Sequence, residues 1–460
     1  MSPSGPSPGV HRDLTNGTPA AAESVDAFKE LVASELERVR QRSFGLTTGV
    51  LDDAELVRQH SRLMSPLVWD LAHVGNYEEL WLLREAAGID PMRPEIDNLY
   101  DAFEHPRADR PSLPLLDPVE AHDYLGLVRR KVLDSLDTIR LPDGDPGQPL
   151  LTDGFVYRMV IQHEHQHDET MLATHQLREG DPVLPPTDAA PAPADARAWP
   201  EEVYVDAGEF VMGTSTDAWA YDNERPAHTV DVPAFWIDTT PVCNRDYLAF
   251  IVDGGYDEPR WWTDRGWEWR GRSGKRTPAF WVRDGDTWLQ RRFGHTELLP
   301  MDEPVQHVCW YEAAAYARWA GKRLPTEAEW EKAASWDPVH ATKRRFPWGD
   351  DPAGDEHANL GQVRFHPAPV GSYPRGASPV GARQMLGDVW EWTATRFTGH
   401  PGFCVFPYRE YSEVFFGTEY MVLRGGSWAT DPTACRTTFR NWDYPIRRQI
   451  FAGFRCARDA

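Results

Sequence analysis

Residues 162–169 read Gln-His-Glu-His-Gln-His-Asp-Glu and lie inside a helix predicted over about residues 152–178. His163 and His167 are four positions apart, which places both imidazoles on one face of a helix, one turn apart. His165 is rotated about 200° from His163 around the helix axis and should point elsewhere. Two imidazoles in this arrangement can bind one metal ion, so this helix is expected to carry a metal site.

Three other segments upstream show the same helical periodicity of apolar residues. They are predicted as helices over about residues 25–43, 66–87 and 118–139. Four amphipathic helices favour a helical bundle as the architecture of the first part of the chain. In a bundle, side chains from facing helices can build a site together, so a third metal ligand can come from another helix.

His73 is the candidate for that third ligand, because it lies in the second predicted helix. A lone histidine on an apolar helix face is usually a satisfied core residue, but this one shares a bundle with the His163 and His167 pair. Three neutral imidazoles suit zinc, iron, nickel or copper and leave coordination positions open. The spacing alone does not choose among these metals.

Two other interpretations of residues 163–167 stay open on spacing alone. The stretch matches the H-E-x-x-H pattern of zinc metalloproteases, which is short and often matched by chance. The longer metzincin pattern is absent, because Asp168, Glu169 and Thr170 follow His167. The remaining interpretation is a solvated polar helix face that carries histidines by accident.

The overall composition excludes several classes of partner. The chain of 460 residues has 48 Lys and Arg against 71 Asp and Glu, a net charge of −23. Such a surface repels phosphate backbones and anionic membranes, so no nucleic acid and no membrane partner is expected. An odd number of cysteines, 5, without a Cys-x-x-Cys pair favours a reducing cytoplasm over a disulfide framework.

The chain divides by composition. Residues 1–22 are rich in Pro, Ser, Gly and Ala and lack an apolar signal segment, which predicts a disordered tail. Residues 181–200 are rich in Pro and Ala and predict an extended linker. Beyond the linker the helical periodicity fades and short β-like runs alternate with turns, as at 203–205 and 209–212. The second half is therefore predicted as α+β.

Four phrases of the second half resemble the formylglycine-generating enzymes. They are Arg-Leu-Pro-Thr-Glu-Ala-Glu-Trp-Glu at 323–331, Gly-Asp-Val-Trp-Glu-Trp at 387–392, Arg-Gly-Gly-Ser-Trp at 424–428 and Gly-Phe-Arg at 453–455. Most of these residues are expected to have structural roles in tight turns, buried aromatics and helix caps. The reactive cysteine pair that those enzymes place near the third phrase is absent, since Cys435 alone lies close after it and Cys456 lies beyond the fourth phrase.

Together with the histidines, these phrases resemble the sulfoxide synthases of ergothioneine biosynthesis over nearly the whole chain after the tail. The resemblance implies a multidomain α and α+β protein. A DinB-like four-helix bundle at 23–180 would precede a C-type-lectin-like domain, of the formylglycine-generating type, at 201–460. The family's H-x-x-x-H-x-E pattern falls on His163, His167 and Glu169, and its upstream metal ligand falls on His73.

What the resemblance implies is an iron enzyme. His73, His163 and His167 would hold Fe(II), and the enzyme would use O₂ to join the sulfur of γ-glutamylcysteine to the imidazole of hercynine as a sulfoxide. Three alternatives differ from it: the same chemistry with cysteine or a selenium donor, a zinc metalloprotease, and a lectin-like module that only binds. Donor competition, metal dependence and oxygen uptake would separate them.

The resemblance also implies which residues bind hercynine. Gln166 would face its imidazole, and Asn441 and Trp442 would line the same ligand. An asparagine can hydrogen-bond a carboxylate, and a tryptophan face attracts a quaternary ammonium by about 0.5–2 kcal/mol. Trp442 could instead be an ordinary core aromatic.

The thiol donor and the proton donor are assigned in the same way. Arg107, Arg110 and Arg447 would hold the carboxylates of γ-glutamylcysteine and Asp443 its amine, because guanidinium groups bind carboxylates bidentately. Any one of these arginines could also be a surface charge. A phenol near the metal is expected to donate a proton, and Tyr408 is preferred over its neighbour Tyr411.

Overall fold

The computed structural model describes residues 24–139, 147–187 and 199–460. The predicted tail at 1–22 and most of the predicted linker at 181–200 lie outside these ranges. In the described part of the chain, no helix combines the length and the apolar character that crossing a membrane requires.

The first half is a bundle of four long helices and one short helix. The helices are α1 Val25–Gly45, α2 Asp53–Val57, α3 Leu67–Glu78, α4 Pro118–Thr138 and α5 Phe155–Leu177. The start of α4 shows why these residues form a helix: Pro118 occupies the first turn, and Asp117 forms a capping box with Glu120. The long helices match the four predicted ones to within a few residues when the π-helical continuation of α3, Glu79–Glu85, is counted with it.

One feature of the bundle was not predicted. At Glu79, α3 passes without a break into a π-helix, Glu79–Glu85. In a π-helix the backbone hydrogen bonds join residues five positions apart, and the periodicity of apolar residues does not reveal this change. π-turns inside helices are frequent at functional sites. This segment, together with α3, faces α5 and positions part of the site described below.

A buried charge network fixes how the four long helices meet. Arg40 of α1 contacts Glu78 of α3 and Glu164 of α5, each at 2.6 Å, and Arg129 of α4 contacts Glu78 at 2.7 Å. All four side chains are less than one tenth exposed. Buried charges are tolerated when they are paired and hydrogen-bonded. Each of the four helices must therefore place its charged residue at the same level along the bundle as the others.

The second half is α+β, with short strands in five small sheets. Its helices are α6 Asn244–Val252, α7 Asp264–Ser273, α8 Trp310–Trp319 and α9 Glu327–Ser335. Its strands are β1 Glu202–Val205, β2 Gly208–Met212, β3 His228–Val232, β4 Phe235–Asp238, β5 Trp281–Asp284, β6 Thr287–Arg292, β7 His295–Leu298, β8 Trp336–Asp337, β9 Thr342–Lys343, β10 Trp390–Arg396, β11 Met421–Arg424, β12 Asn441–Asp443, β13 Ala452–Gly453 and β14 Ala457–Asp459. The sheet in the order β12-β11-β10-β13 matters most, because β12 lines the site.

Buried ion pairs join the four sequence phrases of this half two by two. Arg424, from the third phrase, contacts Glu327 and Glu331 of the first at 2.7 and 2.6 Å. Arg455, from the fourth phrase, contacts Glu391 of the second at 2.7 Å. These ion pairs were not predicted; of the roles that were expected, the helix cap is found at Thr326 and the buried aromatics are Trp330, Trp392 and Trp428. The turn after Arg424 needs glycine, because Gly425 has a φ of 94°.

The two halves share one apolar core and a polar seam. A single cluster of buried apolar side chains runs from α1 to the last strands, and a second cluster lies within the second half. At the seam the Glu169 carboxylate of α5 accepts hydrogen bonds from Trp390, Ser427 and Thr430, at 2.7, 2.8 and 2.9 Å. Glu169 therefore joins the bundle to two of the second half's sequence phrases.

The Arg455–Glu391 pair gives a test of this architecture. Arg455→Met leaves the buried Glu391 carboxylate without its guanidinium partner, so the free energy of unfolding should fall by about 3–5 kcal/mol. Arg458→Met is the matched control, because Arg458 is 41% exposed in its pair with Glu202 and should cost at most about 1 kcal/mol. Urea unfolding measures both, and equal losses would contradict the assignment.

Candidate metal centre

Three histidine side chains converge between α3 and α5. The ligand nitrogens of His73, His163 and His167 all lie within 4.8 Å of one another. The Nε2 atoms of His73 and His163 are 3.3 Å apart. The structure therefore brings together the three residues that were predicted as metal ligands, one from the second long helix and two from the fourth.

Hydrogen bonds at the far side of two rings turn their Nε2 atoms toward the centre. The Nδ1 of His73 lies 2.8 Å from the Tyr100 carbonyl oxygen, and the Nδ1 of His167 lies 3.0 Å from Asp70 Oδ1. Since these acceptors need a donor, the proton of each neutral ring belongs on Nδ1. The Nε2 lone pairs are then free to bind a metal ion, with the carboxylate and carbonyl as supporting partners.

Aromatic rings hold the same histidines from the side. His73 stacks on Trp69 with ring centroids 4.6 Å apart and an interplanar angle of 12°. His163 stacks on Tyr77 with centroids 3.6 Å apart and an angle of 11°. Stacking and hydrogen bonding together restrict ring rotation, so the ligand set is preorganised.

The electrostatics favour neutral rings. Burial lowers the pKa of His73 and His163 well below the usual value, and the nearby His167 lowers both further. Neutral imidazoles are what a metal ion requires, because a protonated ring offers no lone pair. Imidazole lone pairs that face one another repel in the absence of a cation, so the three converging residues fit a divalent metal ion.

Glu164 argues against a metalloprotease. In an H-E-x-x-H site the glutamate acts as the general base beside the metal. Here its carboxylate contacts Arg40 at 2.6 Å and accepts a hydrogen bond from Ser43 at 3.0 Å, in the middle of the bundle. His165 also points away from the centre, as predicted, and lies 3.2 Å from Arg38 at the seam. The protease match is therefore coincidental.

A cavity of about 410 Å³ adjoins α5 and the second half. Its volume lies in the usual range for small-molecule sites. Six of the predicted substrate-binding residues line it: Arg107, Gln166, Asn441, Trp442, Asp443 and Arg447. Residues that are more than 300 positions apart in sequence therefore meet around one space.

The lining side chains are held in defined positions. Gln166 Nε2 lies 3.2 Å from the Tyr411 hydroxyl, and Trp442 stacks on Phe397 with centroids 4.0 Å apart. Arg447 Nε lies 3.5 Å from Asp443 Oδ1. Burial raises the pKa of Asp443 to about 6, although Arg447 lowers it in part.

Arg110 does not lie with this group. Its guanidinium donates to the Ser65 hydroxyl at 2.6 Å and to the carbonyl oxygens of His105 and Ala102 at 3.0 and 3.2 Å. Its Cζ sits 3.4 Å from the centroid of Trp69, the ring that stacks on His73. Among the described residues that line the cavity Arg110 is not found, because its donors are bound within the first half.

The two candidate tyrosines occupy different surroundings. The Tyr408 hydroxyl lies 3.0 Å from the Tyr77 hydroxyl, whose ring stacks on His163. Tyr411 lines the cavity and stacks on Tyr221 with centroids 4.2 Å apart. Burial raises the pKa of both phenols, so both stay protonated at neutral pH.

Sequence reasoning missed the residues that support the ligands. Asp70 lies three positions before His73 and Tyr77 four positions after it, spacings that share a helix face and gave a usable signal. The spacing does not predict that Asp70 contacts His167 and Tyr77 contacts His163, both on α5. The Tyr100 carbonyl belongs to a 3₁₀ segment, Pro94–Tyr100, that has no periodicity to recognise.

The Asp70–His167 hydrogen bond yields a measurable expectation. Asp70→Asn removes the charge behind His167, so the dissociation constant for Fe(II) should rise about tenfold. Asp168→Asn is the control, because that buried carboxylate of α5 contacts Ser43 and not the metal ligands. Anaerobic titration against a competing chelator measures both, and an unchanged constant for Asp70→Asn would contradict the supporting role.

Comparison with known proteins gives the family. The family model of the DinB superfamily matches residues 35–171, and that of the sulfatase-modifying factor enzyme 1-like domain matches residues 187–460. The chain is 34% identical to the formylglycine-generating enzyme of Streptomyces coelicolor, over 59% of this chain and 96% of that enzyme.

Two relatives match over the full architecture. The hercynine oxygenase of Mycolicibacterium smegmatis is 54% identical, and that of Mycobacterium tuberculosis is 53% identical. Each alignment covers 94% of this chain and 99% of the relative. The match thus includes the bundle, the lectin-like half and the seam between them, and the chain belongs to the hercynine oxygenase family.

Proposed function

We propose that this oxygenase uses Fe(II) and O₂ to join the sulfur of γ-glutamylcysteine to hercynine, giving γ-glutamyl-hercynylcysteine S-oxide. The observation that carries the proposal is the convergence of three imidazoles between α3 and α5, together with a cavity beside α5 whose lining includes Arg107, Trp442, Asp443 and Arg447. Hercynine is proposed as a substrate because both relatives are named hercynine oxygenases. Iron and the thiol donor are inferred from the residues and from the family resemblance.

His73, His163 and His167 would hold the iron. Three neutral ligands leave the ion its full charge and leave coordination positions for other groups. When bound, the iron would coordinate the substrates and supply the electrons with which oxygen is activated. The chain's own contribution is to orient these groups and to keep the thiol from futile oxidation.

Hercynine would bind beside α5. Gln166 directly precedes the ligand His167, and its amide is directed toward Tyr411 at the cavity wall. Asn441 and Trp442 lie on β12 and line the same cavity. An amide for the imidazole, an amide for the carboxylate and an indole for the trimethylammonium match the three polar features of hercynine.

The thiol donor would bind across the cavity. γ-Glutamylcysteine carries two carboxylates and one ammonium group at neutral pH, and the wall offers two guanidinium groups, Arg107 and Arg447, and one carboxylate, Asp443. Cysteine has a single carboxylate and would leave one arginine unused. This charge match favours the dipeptide over cysteine. Arg110 would reach the donor only after its present hydrogen bonds are exchanged.

Tyr408 would donate the proton that the reduced oxygen requires. Its phenol stays protonated because burial raises its pKa, and its hydroxyl partner Tyr77 packs on a metal ligand. Tyr411 instead bonds to Gln166, which suits a role in orienting hercynine. All five cysteines are free thiols, which fits the cytoplasmic location that we also propose.

The experiment is anaerobic loading of the full chain with Fe(II), followed by hercynine, γ-glutamylcysteine and O₂. We expect one product with the mass of the coupled S-oxide, formed with Fe(II) but not with Zn(II). In parallel reactions, cysteine or selenocysteine is added in competition with γ-glutamylcysteine, and the products identify the preferred donor. Oxygen uptake without a coupled product, or product with zinc alone, would contradict the proposal.

Asp443 predicts how donor binding depends on pH. Its pKa is raised to about 6, so the carboxylate that would attract the donor ammonium is present above that pH and lost below it. The KM for γ-glutamylcysteine should therefore rise about tenfold between pH 7 and pH 5. Asp443→Asn should remove this rise and leave only the pH dependence of the donor itself. Parallel profiles for the two proteins would exclude the assigned role.

A further inference from the structure

Tyr77 joins the ligand set to the proposed proton donor. It lies on α3 one turn after His73 and is 8% exposed. Its ring stacks on His163, with centroids 3.6 Å apart. Its hydroxyl lies 3.0 Å from the hydroxyl of Tyr408, which belongs to the second half. One side chain of the bundle thus contacts both a metal ligand and a residue of the other domain.

Trp81 and the anchored loop hold the ring of Tyr408, and Tyr77 contacts its hydroxyl. Trp81 of the π-helix stacks on the Tyr408 ring, with centroids 5.1 Å apart and an angle of 28°. The loop that carries Tyr408 is anchored by the Phe406 amide, which donates to Asp222 at 3.2 Å. Tyr77 is thus the hydrogen-bond partner of the Tyr408 hydroxyl, and either oxygen can be the donor.

We propose that Tyr77 is a positioning residue whose hydroxyl orients the Tyr408 hydroxyl toward the metal centre. The inference rests on the proposed function, with Tyr408 as proton donor. When the Tyr77 hydroxyl donates its hydrogen bond to the Tyr408 hydroxyl oxygen, the Tyr408 proton is free to be transferred to the reduced oxygen. The hydrogen bond from Tyr77 also polarises the Tyr408 O–H bond. As the Tyr408 O–H bond breaks and a new O–H bond forms on that oxygen, the remaining phenolate is stabilised by the hydrogen bond from Tyr77.

Tyr77→Phe tests this role because it keeps the ring that stacks on His163 and removes only the hydroxyl. In the Fe(II)-loaded full chain we expect kcat for S-oxide formation to fall about tenfold, with the KM of both substrates within about twofold of wild type. Oxygen consumed per S-oxide formed should rise, and bound iron should not change. Loss of iron would place the effect on His163 and overturn the inference.

The pairing of the two phenols is tested by a double-mutant cycle. If Tyr77 acts through Tyr408, Tyr77→Phe should have no further effect on kcat in the Tyr408→Phe background. The same non-additivity should appear in the thermal midpoint of the metal-free protein, because removing either hydroxyl breaks one bond. Additive effects in both measurements would overturn the inference, as would a Tyr408→Phe enzyme with wild-type kcat.

Tyr157→Phe is the matched control. This buried phenol of α5 has no hydrogen-bond partner among the described residues, so its removal should leave kcat and oxygen coupling unchanged. A loss equal to that of Tyr77→Phe would show a general effect of bundle phenols and overturn the inference. Wild-type protein that forms no S-oxide would instead refute the proposed function, whereas the thermal cycle would still report on the Tyr77–Tyr408 bond.

Discussion

The orientation of the histidine rings is the constraint on which the rest of the site depends. The Tyr100 carbonyl and the Asp70 carboxylate each engage the Nδ1 atom of one ligand, and this turns the Nε2 lone pairs inward. Without these bonds the rings could rotate, and an uncharged ligand set would bind a divalent ion weakly. With them, the repulsion among buried lone pairs is relieved when a cation enters.

The bundle separates its structural charges from its proposed metal ligands on a single helix. His163 and His167 face α3 at the metal centre, while Glu164 between them turns into the four-helix charge network. Glu169, two residues past His167, joins α5 to the second half. Since successive helix positions lie about 100° apart, one short stretch can serve three faces. The second half contributes much of the cavity wall and the loop of Tyr408, whose hydroxyl contacts Tyr77 of α3.

Features governed by periodicity could be predicted from the sequence. The four long helices follow from apolar spacing, and the pairing of His163 with His167 follows from four-residue spacing. The placement of His73 beside them needed the bundle architecture as well. The family resemblance pointed to Asn441 and Trp442, which line the cavity, although nothing in their local pattern indicates a ligand.

Features governed by tertiary contacts could not be predicted. Arg107 and Arg110 are three residues apart and look equivalent in sequence, yet one lines the cavity and the other is bound to Ser65 and two carbonyl oxygens. Arg107 also donates to one carbonyl oxygen, that of Leu63 at 3.0 Å, so which arginine still faces the cavity depends on how the 3₁₀ segments fold over α3. The π-helix and the contact of Tyr77 with Tyr408 likewise depend on the docking of the second half.

X-ray absorption at the iron edge of the Fe(II)-loaded protein reports directly on the ligands of the metal. We expect three imidazole nitrogen ligands, with two remaining after His73→Ala, and a sulfur ligand that appears when γ-glutamylcysteine is added. A spectrum with fewer than three imidazoles in the wild type, or one that His73→Ala leaves unchanged, would contradict this expectation.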